Sequence, residues 1–361
     1  MSTSNRFEET IIFNLRDLYK KYGYSQYKMS KFEPYDLYAR NKEFLVSDGI
    51  ITFTDTDGTL MALKPDVTLS IVKNFRPENI ALQKVCYHEN VYRIAGASRT
   101  YREIMQTGLE CLGTVGMYEI SEVICLAINS LLTISNNSLL DISHMGVVSE
   151  LLSSMNLDEN ETAAVLRYLG EKNKDALTSL LGIERASKLI AILDISGPIS
   201  KSLSQLKKIV SGSTLDEIEL LAATLAQIGL DEYVNLDFSI INDRNYYNDF
   251  VFRGYVEGLP SAVLAGGQYD KLMEKMNKTA SGIGFAVYLD QLELLEDRST
   301  DYDVDTIILY DDAENICTLM NIANEYAKNS VMMVKSIPTD IKYRRLLKLS
   351  DGGLITIEEN G

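Results

Sequence analysis

Histidine and cysteine are scarce in this sequence, and the scarcity limits the chemistry that the chain can carry. Among 361 residues there are two histidines, His88 and His144, and four cysteines. Zinc sites and histidine-based catalytic triads draw on these residue types, so both are nearly excluded and no metal site is predicted. We interpret His144 as a strand or interface residue and not as a catalyst.

The spacing of the cysteines favours a simple structural role. They are Cys86, Cys111, Cys125 and Cys317; they form no C-x-x-C pair, and two of them lie in predicted strands. We therefore expect reduced and mostly buried thiols in a cytoplasmic protein. No cofactor is predicted, because the G-x-G of SGIGFA lacks the third glycine and the βαβ setting of a dinucleotide-binding turn.

Clustered positive charge and long apolar runs are missing as well. The net charge is −16, and residues 301–361 carry 6 Lys and Arg against 11 Asp and Glu, a net of −5. Nucleic-acid binding relies on clustered Lys and Arg, so we expect no tRNA-binding domain there. No run approaches the roughly 18 apolar residues of a membrane span, and MSTSNRFEET lacks the basic and apolar regions of a secretory signal. We expect no membrane partner.

The amino-terminal part of the chain alternates helix and strand signals. The length of the whole chain, 361 residues, predicts two or three structural units. Apolar residues at helical spacing predict helices over 6–21 and 117–133, and Asp57-Gly58 predicts a hairpin turn. Strands are predicted over 83–93, 101–114 and 139–148.

The middle of the chain has a different pattern. From about 149 to 230 it is helical throughout, with Thr214 and Glu217 as a predicted capping box. Strand signals return over 236–241, 246–256 and 261–265. The segment Ser281–Leu295, SGIGFAVYLDQLELL, predicts a glycine-bearing entry into an amphipathic helix.

The last part of the chain predicts a strand at 305–311, a helix at 314–329 and a strand at 330–338. Because strands and helices do not alternate regularly before it, the fold class is α+β with an antiparallel sheet core, not a doubly wound sheet. The predicted domains are a core of 1–148 with 231–297, a helical insertion of 149–230, and a short α/β domain of 303–361.

A candidate site lies on the predicted strand YREIMQTGLECLG. Side chains alternate between faces, so Arg102, Gln106, Gly108 and Glu110 share one face. That face either lines a polar cavity or forms a solvated outer surface. Gly108 removes a side chain at a place where something can approach closely.

Two other segments carry polar residues that suit the same cavity. The hairpin strand LMALKPDVT would place Lys64, Asp66 and Thr68 on one face. Tyr246 and Tyr247 are adjacent on a predicted strand, so only one of them can point into a given cavity. Two carboxylates, a glutamine and a tyrosine hydroxyl favour a small, cationic, amine-bearing ligand, for which an amino acid is the natural candidate.

Six segments in order carry a family resemblance. They are LKPDVT, NVYR, REIMQTGLECLG, RNYYNDFVF, AGGQYDKL and GIGFAVYLDQL. In this order they resemble histidyl-tRNA synthetases and their catalytically silent relatives, the regulatory subunits of ATP phosphoribosyltransferase. The resemblance covers roughly residues 5–295 and more loosely the tail. It implies a class II aminoacyl-tRNA synthetase-like core that forms homodimers, and a truncated carboxy-terminal domain.

The departures from the synthetase pattern concern the nucleotide. Arg93 is kept, but Ala95 stands where the family has a glutamate. Asn242 replaces an arginine at the reacting carboxylate, and Gln291 replaces an arginine that stacks on adenine. Neutral side chains cannot replace the fork and the charge of arginine in phosphate chemistry, so the resemblance implies that catalysis is lost.

The amino-acid pocket of the family, in contrast, is kept. By resemblance its residues are Asp66, Thr68, Arg93, Gln106, Glu110, Tyr246 and Tyr247. This implies a non-catalytic subunit that activates short-form ATP phosphoribosyltransferase in the first step of histidine biosynthesis and mediates feedback inhibition by histidine. It would join the catalytic subunit in a hetero-octamer. A divergent histidyl-tRNA synthetase and a stand-alone amino-acid-binding paralogue remain as alternatives, and the pocket either binds histidine or is a relic.

Overall fold

A computed structural model describes most of the chain. The described residues are 4–45, 49–78, 81–94, 100–241, 247–298, 302–311, 315–350 and 353–360. The chain divides into two compact units, Met1–Phe7 with Leu295–Gly361, and Glu8–Leu294. The fold is mixed, with a large central sheet, so the predicted α+β class is confirmed. The predicted domain boundaries stay a prediction.

Before residue 295 the described residues form eleven α-helices and twelve strands. The helices are α1 (Ser4–Lys21), α2 (Tyr35–Ala39), α3 (Thr68–Asn74), α4 (Met117–Ile134), α5 (Met145–Ser153), α6 (Glu159–Gly170), α7 (Lys174–Leu181), α8 (Ile183–Leu193), α9 (Ile199–Leu206), α10 (Ser213–Gln227) and α11 (Asp270–Lys275). The strands are β1 (Ser25–Gln26), β2 (Phe32–Pro34), β3 (Thr52–Thr54), β4 (Leu60–Leu63), β5 (Leu82–Ile94), β6 (Tyr101–Gly113), β7 (Ser138–His144), β8 (Ser196–Pro198), β9 (Val234–Asp237), β10 (Phe250–Val256), β11 (Leu264–Gln268) and β12 (Ser281–Tyr288).

Nine of these strands form the central sheet, in the order β1-β5-β6-β12-β11-β10-β7-β9-β8. The pairs from β5 to β7 are antiparallel, and only the pairs β1–β5 and β7–β9 are parallel within the described sheet. The predicted pair of long strands is confirmed, since β5 and β6 pair from Leu82↔Gly113 to Ile94↔Tyr101. Register decides which side chains share a face, so these pairings fix the layout of the site.

The prediction for Ser281–Leu295 was wrong. The segment begins as strand β12, which pairs with β11 and β6, and continues as a 3-10 helix over Leu289–Arg298. The glycines explain the difference, because a Cβ on Gly284 would lie 1.9 Å from Oε2 of Glu110, and one on Gly282 would lie 2.3 Å from the ring of Tyr269. These glycines admit neighbouring side chains within a strand and do not begin a helix.

The hairpin around Asp57-Gly58 is confirmed as β3–β4, but the strand is shorter than predicted. It ends at Leu63, before Pro65, which lacks an N–H for the strand ladder. Lys64, Asp66 and Thr68 therefore do not share a strand face. Lys64 is fully buried and pairs with Glu89 at 2.8 Å.

The region 149–230 is mostly helical, but not throughout. Strand β8 interrupts it and pairs with β9 at the edge of the central sheet. The predicted capping box is not formed, because α10 begins at Ser213 with Gly212 as its N-cap. Glu217 instead lies 3.2 Å from Nε2 of His144.

His144 has the structural role predicted for it. It ends β7, and its Nδ1 accepts the N–H of Gly146 at the start of α5. Its ring also packs edge-on against Phe250, with centroids 4.5 Å apart. The side chain therefore joins the sheet to the helical region.

Helix α4 confirms the helix predicted at 117–133. Although its sequence is not an unbroken apolar run, it has the length and composition of a membrane-spanning helix. Yet 61% of it is buried inside the fold, where it packs on β7, β10 and β12. This burial is that of a core helix.

The smaller unit contains β13 (Val304–Leu309), α12 (Ile316–Tyr326), β14 (Val331–Val334), β15 (Tyr343–Ser350) and β16 (Gly353–Glu359). Its sheet has the order β14-β13-β15-β16. The strand, helix and strand predicted here are confirmed. The hairpin β15–β16 was not predicted; its strands pair antiparallel, with a register shift between Leu346 and Leu347.

Candidate functional site

A cavity of about 420 Å³ opens on one face of the central sheet. Its floor is made of small residues from adjacent strands, Gly284 and Ala286 on β12 and Ala265 on β11. Glu110 lies opposite Gly284, and Gln106 lies opposite Tyr288. Because the positions named on β6 and on β12 differ by even numbers, and residues paired across strands share a face, their side chains all face the same side of the sheet.

Glu110 is the most deeply buried carboxylate of the cavity, with 1% of its surface exposed. Its Oε1 accepts a hydrogen bond from the hydroxyl of Thr68, and its Oε2 accepts one from the hydroxyl of Tyr269, both at 2.6 Å. Burial raises the pKa of Glu110 to about 8, against the two hydroxyl bonds, and the nearby Asp66 adds to the rise. Around neutral pH this carboxyl group therefore holds a proton unless a cation approaches.

Asp66 forms a second acidic group in the same part of the cavity. Its Oδ1 accepts the N–H of Leu69 in the first turn of α3, at 2.8 Å. Burial raises its pKa, while the Leu69 N–H and the charge of Arg93 oppose the rise. Arg93 itself donates from Nε to the carbonyl oxygen of Pro65, at 3.0 Å.

Gln106 offers the cavity a hydrogen-bond donor. Its side chain is 3% exposed and lines the cavity, and its Nε2 has no hydrogen-bond partner among the described residues. A buried amide N–H₂ without a partner is unfavourable by about 1–3 kcal/mol. A ligand with an acceptor at this place would satisfy it.

The structure brings together most of the residues that the sequence assigned to the pocket. Those that line the cavity are Asp66, Thr68, Arg93, Gln106, Glu110 and Tyr247. Tyr247 precedes β10 and is not on a strand as predicted. Tyr246 lies outside the described residues. Arg102 shares the strand face of Gln106 but is exposed beyond the cavity, because the strand runs past its edge.

Several cavity residues were not singled out from the sequence. Tyr269 and Tyr288 belong to two of the resembling segments, AGGQYDKL and GIGFAVYLDQL, which gave a signal that was not used. Tyr87 lies on β5, across from Gly108, where a Cβ would come within 2.6 Å of its hydroxyl. Arg253 lines the far side of the cavity and had no sequence signal.

The positions assigned to nucleotide loss lie apart from this cavity or outside the described residues. Gln291 does not line the cavity; its Oε1 accepts the hydroxyl of Ser261 at 2.7 Å, and its Nε2 donates to the carbonyl oxygen of Ala262 at 3.4 Å. It therefore holds the loop before β11. Ala95 and Asn242 lie outside the described residues.

Metal-ligand residue types and cysteines are the other chemistry-bearing residues of the described parts of the chain. Among the residues that the structure describes, no three His, Cys, Asp or Glu side chains are grouped so as to hold a metal ion. The four cysteines are free; Cys86 and Cys111 are buried, Cys125 is half-buried and Cys317 is exposed. The polar lining of the cavity suits it to binding a small polar molecule by hydrogen bonds and charge.

Comparison with known proteins agrees with the resemblance. A family model for histidyl-tRNA synthetase matches residues 3–292. The ATP phosphoribosyltransferase regulatory subunit of Caldanaerobacter subterraneus is 29% identical over 81% of this chain and 80% of its own length. That of Clostridium novyi is 27% identical over 92% of this chain and 84% of its own length.

Solved structures share the fold. A Bacillus halodurans ATP phosphoribosyltransferase regulatory subunit/histidyl-tRNA synthetase has a TM-score of 0.76 at 22% identity, covering 96% of this chain and 95% of its own. Histidyl-tRNA synthetase from Nostoc has a TM-score of 0.76 at 16% identity, covering 97% of this chain and 91% of its own. A chain of the ATP phosphoribosyl transferase (HisG:HisZ) complex from Thermotoga maritima has a TM-score of 0.62 at 20% identity, covering 78% of this chain and 97% of its own. With the family model spanning most of its length, this chain belongs to the histidyl-tRNA synthetase family, beside the ATP phosphoribosyltransferase regulatory subunits that are its curated relatives.

Proposed function

We propose that this chain is the regulatory subunit of a short-form ATP phosphoribosyltransferase. In this role it activates the catalytic subunit in the first step of histidine biosynthesis and transmits inhibition by histidine. The observation that carries the proposal is the similarity to regulatory subunits along 81% and 92% of the chain. The polar cavity on the synthetase-like sheet supports the histidine part of it.

The cavity offers histidine complementary groups. Glu110 and Asp66 accept hydrogen bonds from an ammonium or an imidazole, and Gln106 donates one. Tyr246 and Tyr247 complete the proposed set, together with Thr68 and Arg93. Charge-assisted bonds of this kind each contribute roughly 1.5–3 kcal/mol, enough to select an amine-bearing ligand.

The chain itself has no catalytic role in this proposal. Ala95, Asn242 and Gln291 stand where the family has groups that act on the nucleotide, and each such contact matters by about two to three orders of magnitude in rate. A divergent histidyl-tRNA synthetase is the competing assignment. Histidine-dependent exchange of pyrophosphate into ATP, measured above a blank without protein, would decide for the synthetase.

The proposed partners follow from the same relatives. The Thermotoga maritima neighbour comes from a complex, and we propose a homodimer through the synthetase-like core that joins the catalytic subunit in a hetero-octamer in the cytoplasm. No tRNA or membrane partner is part of the proposal. Size-exclusion chromatography with light scattering, on this chain alone and with the catalytic subunit, measures both stoichiometries.

The decisive experiment uses the catalytic subunit from the same cell. Formation of phosphoribosyl-ATP is measured with the catalytic subunit alone, with this chain added, and with histidine added to both. We expect this chain alone to be inactive, the mixture to be faster than the catalytic subunit alone, and histidine to slow the mixture. Equal rates with and without this chain would reject the assignment, and histidine binding without any effect on the transferase would favour a stand-alone amino-acid sensor.

A further inference from the structure

Lys64 is a buried lysine that the proposed function does not use. None of its side chain is exposed, and its Nζ donates to Oε2 of Glu89 at 2.8 Å. The backbone of Lys64 is fixed on two sides, since its N–H donates to the carbonyl oxygen of Lys31 and its carbonyl oxygen accepts the N–H of Tyr92. Burial of a lysine is unfavourable unless a partner balances its charge, and Glu89 is such a partner.

Glu89 lies beside a residue of the cavity. It is on β5, directly opposite Gln106 on β6. Residues opposite each other in an antiparallel pair share a face, and their Cβ atoms are about 4.5–5.5 Å apart. The side chains of Glu89 and Gln106 are therefore long enough to meet. Gln106 lines the cavity, whereas neither Glu89 nor Lys64 does.

The amide of Gln106 nevertheless is not bound to this carboxylate. Its Nε2 is buried and has no hydrogen-bond partner among the described residues. Buried donors without a partner are rare in folded proteins, so a carboxylate on the adjacent strand would be expected to accept this one. The carboxylate of Glu89 instead binds the ammonium of Lys64, which is a stronger partner than a neutral amide. Lys64 and Gln106 thus compete for Glu89, and Lys64 holds it.

We propose that Lys64 is a positioning residue, which holds Glu89 and thereby keeps the amide of Gln106 available to the ligand in the cavity. The inference rests on the proposed function and concerns two residues behind the pocket. Without Lys64, the carboxylate of Glu89 would accept the amide N–H of Gln106 and withdraw that donor from the cavity. A donor that already faces the cavity needs no rearrangement when the ligand arrives, which favours binding.

The first test uses histidine as the probe and measures dissociation constants by titration calorimetry on the full chain. Lys64→Met should weaken binding by about 3- to 10-fold, the loss of one hydrogen bond. A double variant, Lys64→Met with Glu89→Leu, should restore the affinity, because no carboxylate remains to accept the Gln106 amide. In a Gln106→Leu background, Lys64→Met should have no further effect, since the two changes act through the same bond.

A matched control breaks a similar ion pair away from the cavity. Lys84 is also on β5 and binds Glu122 at 2.6 Å, but it faces the other side of the sheet from Glu89, because the two positions differ by an odd number. Lys84→Met should lower the unfolding free energy, measured with urea, and leave the histidine affinity unchanged. Equal weakening of binding in Lys84→Met and Lys64→Met, or a double variant that stays weak, overturns the inference and leaves Lys64 a structural role.

A second readout needs no ligand. The chain has seven glutamines, so isotope labelling of glutamine side chains gives few amide signals in a nuclear magnetic resonance spectrum, and Gln106→Leu identifies the signal of Gln106 by its loss. This signal should move in Lys64→Met and return in the double variant. An unmoved signal overturns the role of Lys64, whether or not histidine binds.

The two readouts separate this inference from the proposed function. A wild type that does not bind histidine, but whose Gln106 signal moves as expected, rejects the histidine part of the proposed function and supports the positioning of Gln106 by Lys64. If Lys64→Met does not fold, the double variant decides, because it removes both charges of the pair. Weakened histidine binding in a folded double variant would then overturn the inference, and wild-type affinity would support it.

Discussion

Glu110 and Glu122 are two buried glutamates that are held by similar groups and differ in one respect. Each accepts hydrogen bonds from two hydroxyl groups. The donors to Glu110 are Thr68 and Tyr269, and the donors to Glu122 are Tyr24 and Tyr118. Glu122 also binds the ammonium of Lys84 at 2.6 Å. At Glu110 the described hydrogen-bond donors are hydroxyls alone, and the other side of the carboxylate is a cavity.

The electrostatic outcome differs accordingly. Burial raises the pKa of Glu110 to about 8. Burial lowers the pKa of Lys84, but the hydrogen bond and charge of Glu122 outweigh it and raise that pKa. At Glu122 the fold itself supplies the cation, so the charge of the carboxylate is balanced within the protein. A carboxylate that lacks a cation and faces a cavity is available for a cation from outside.

The largest expected effect concerns Glu122. Glu122→Gln leaves Lys84, whose side chain is 19% exposed, without its counter-charge. We expect a loss of roughly 3 kcal/mol of unfolding free energy, because breaking a buried pair strands the remaining charge. Urea unfolding of Glu122→Gln and of Glu110→Gln, the same substitution at the other site, measures the difference. Equal losses at the two positions would remove the distinction between them.

The second prediction concerns ligand binding. Glu110→Gln should weaken histidine binding about 10- to 150-fold, since it removes one charge-assisted hydrogen bond. The fold and the oligomer should persist, because the side chain faces the cavity. Titration calorimetry measures the affinity, with Glu122→Gln as the matched control that should bind like the wild type. Unchanged affinity in Glu110→Gln, with normal assembly, would make the pocket a relic and move the feedback site to a subunit interface.

The third prediction tests whether binding depends on the room that Gly284 leaves for the carboxylate of Glu110. In Gly284→Ala the new Cβ would lie 1.9 Å from Oε2 of Glu110 and 2.4 Å from the carbonyl oxygen of Leu109. The carboxylate must move, so histidine binding should weaken, and overpacking should lower the unfolding free energy by roughly 1–3 kcal/mol. Wild-type histidine affinity in this variant would show that the position of Glu110 is not important.

The last prediction concerns the dependence of stability on pH and not a substitution alone. Glu110 ionises near 4.5 in the unfolded chain but keeps its proton to about 8 in the folded one, so the folded state binds more protons in between. The contribution of Glu110 to the unfolding free energy is therefore complete below pH 4.5. It is lost as the pH rises to 8, by at most about 1.4 kcal/mol per pH unit. Urea unfolding from pH 5 to 8.5 should show this fall, and Glu110→Gln should flatten it. A fall of the same size in Glu110→Gln would assign it to other groups, such as Asp66.

The acidic side of the site could be predicted from the sequence because it depends on local rules. Gln106 and Glu110 face one way since strand residues alternate, and that holds for any strand at this place. Arg253 could not be predicted, because it joins the cavity only through the pairing of β10 with β11. The register between distant strands is set by packing of the whole sheet and leaves no mark in a short segment.

The errors have similar causes. The glycines of Ser281–Leu295 predicted a helix entry because glycine marks both turns and close packing, and only the positions of Glu110 and Tyr269 in the fold distinguish the two. The strand LMALKPDVT was extended past Pro65, although a proline ends the strand ladder. Strand β15, YRRLLKLS, was missed because its charged residues interrupt the alternation of apolar ones.

The depth of the cavity depends on its floor of glycine and alanine. A cavity bounded below by large side chains can close or widen as rotamers change, but Gly284, Ala265 and Ala286 have no rotamers to change. The backbone of the sheet therefore sets the depth of the cavity before any ligand arrives. A larger side chain at Ala265 or Ala286 would take up part of the cavity volume, so the range of ligand sizes can shift between related proteins through these two positions.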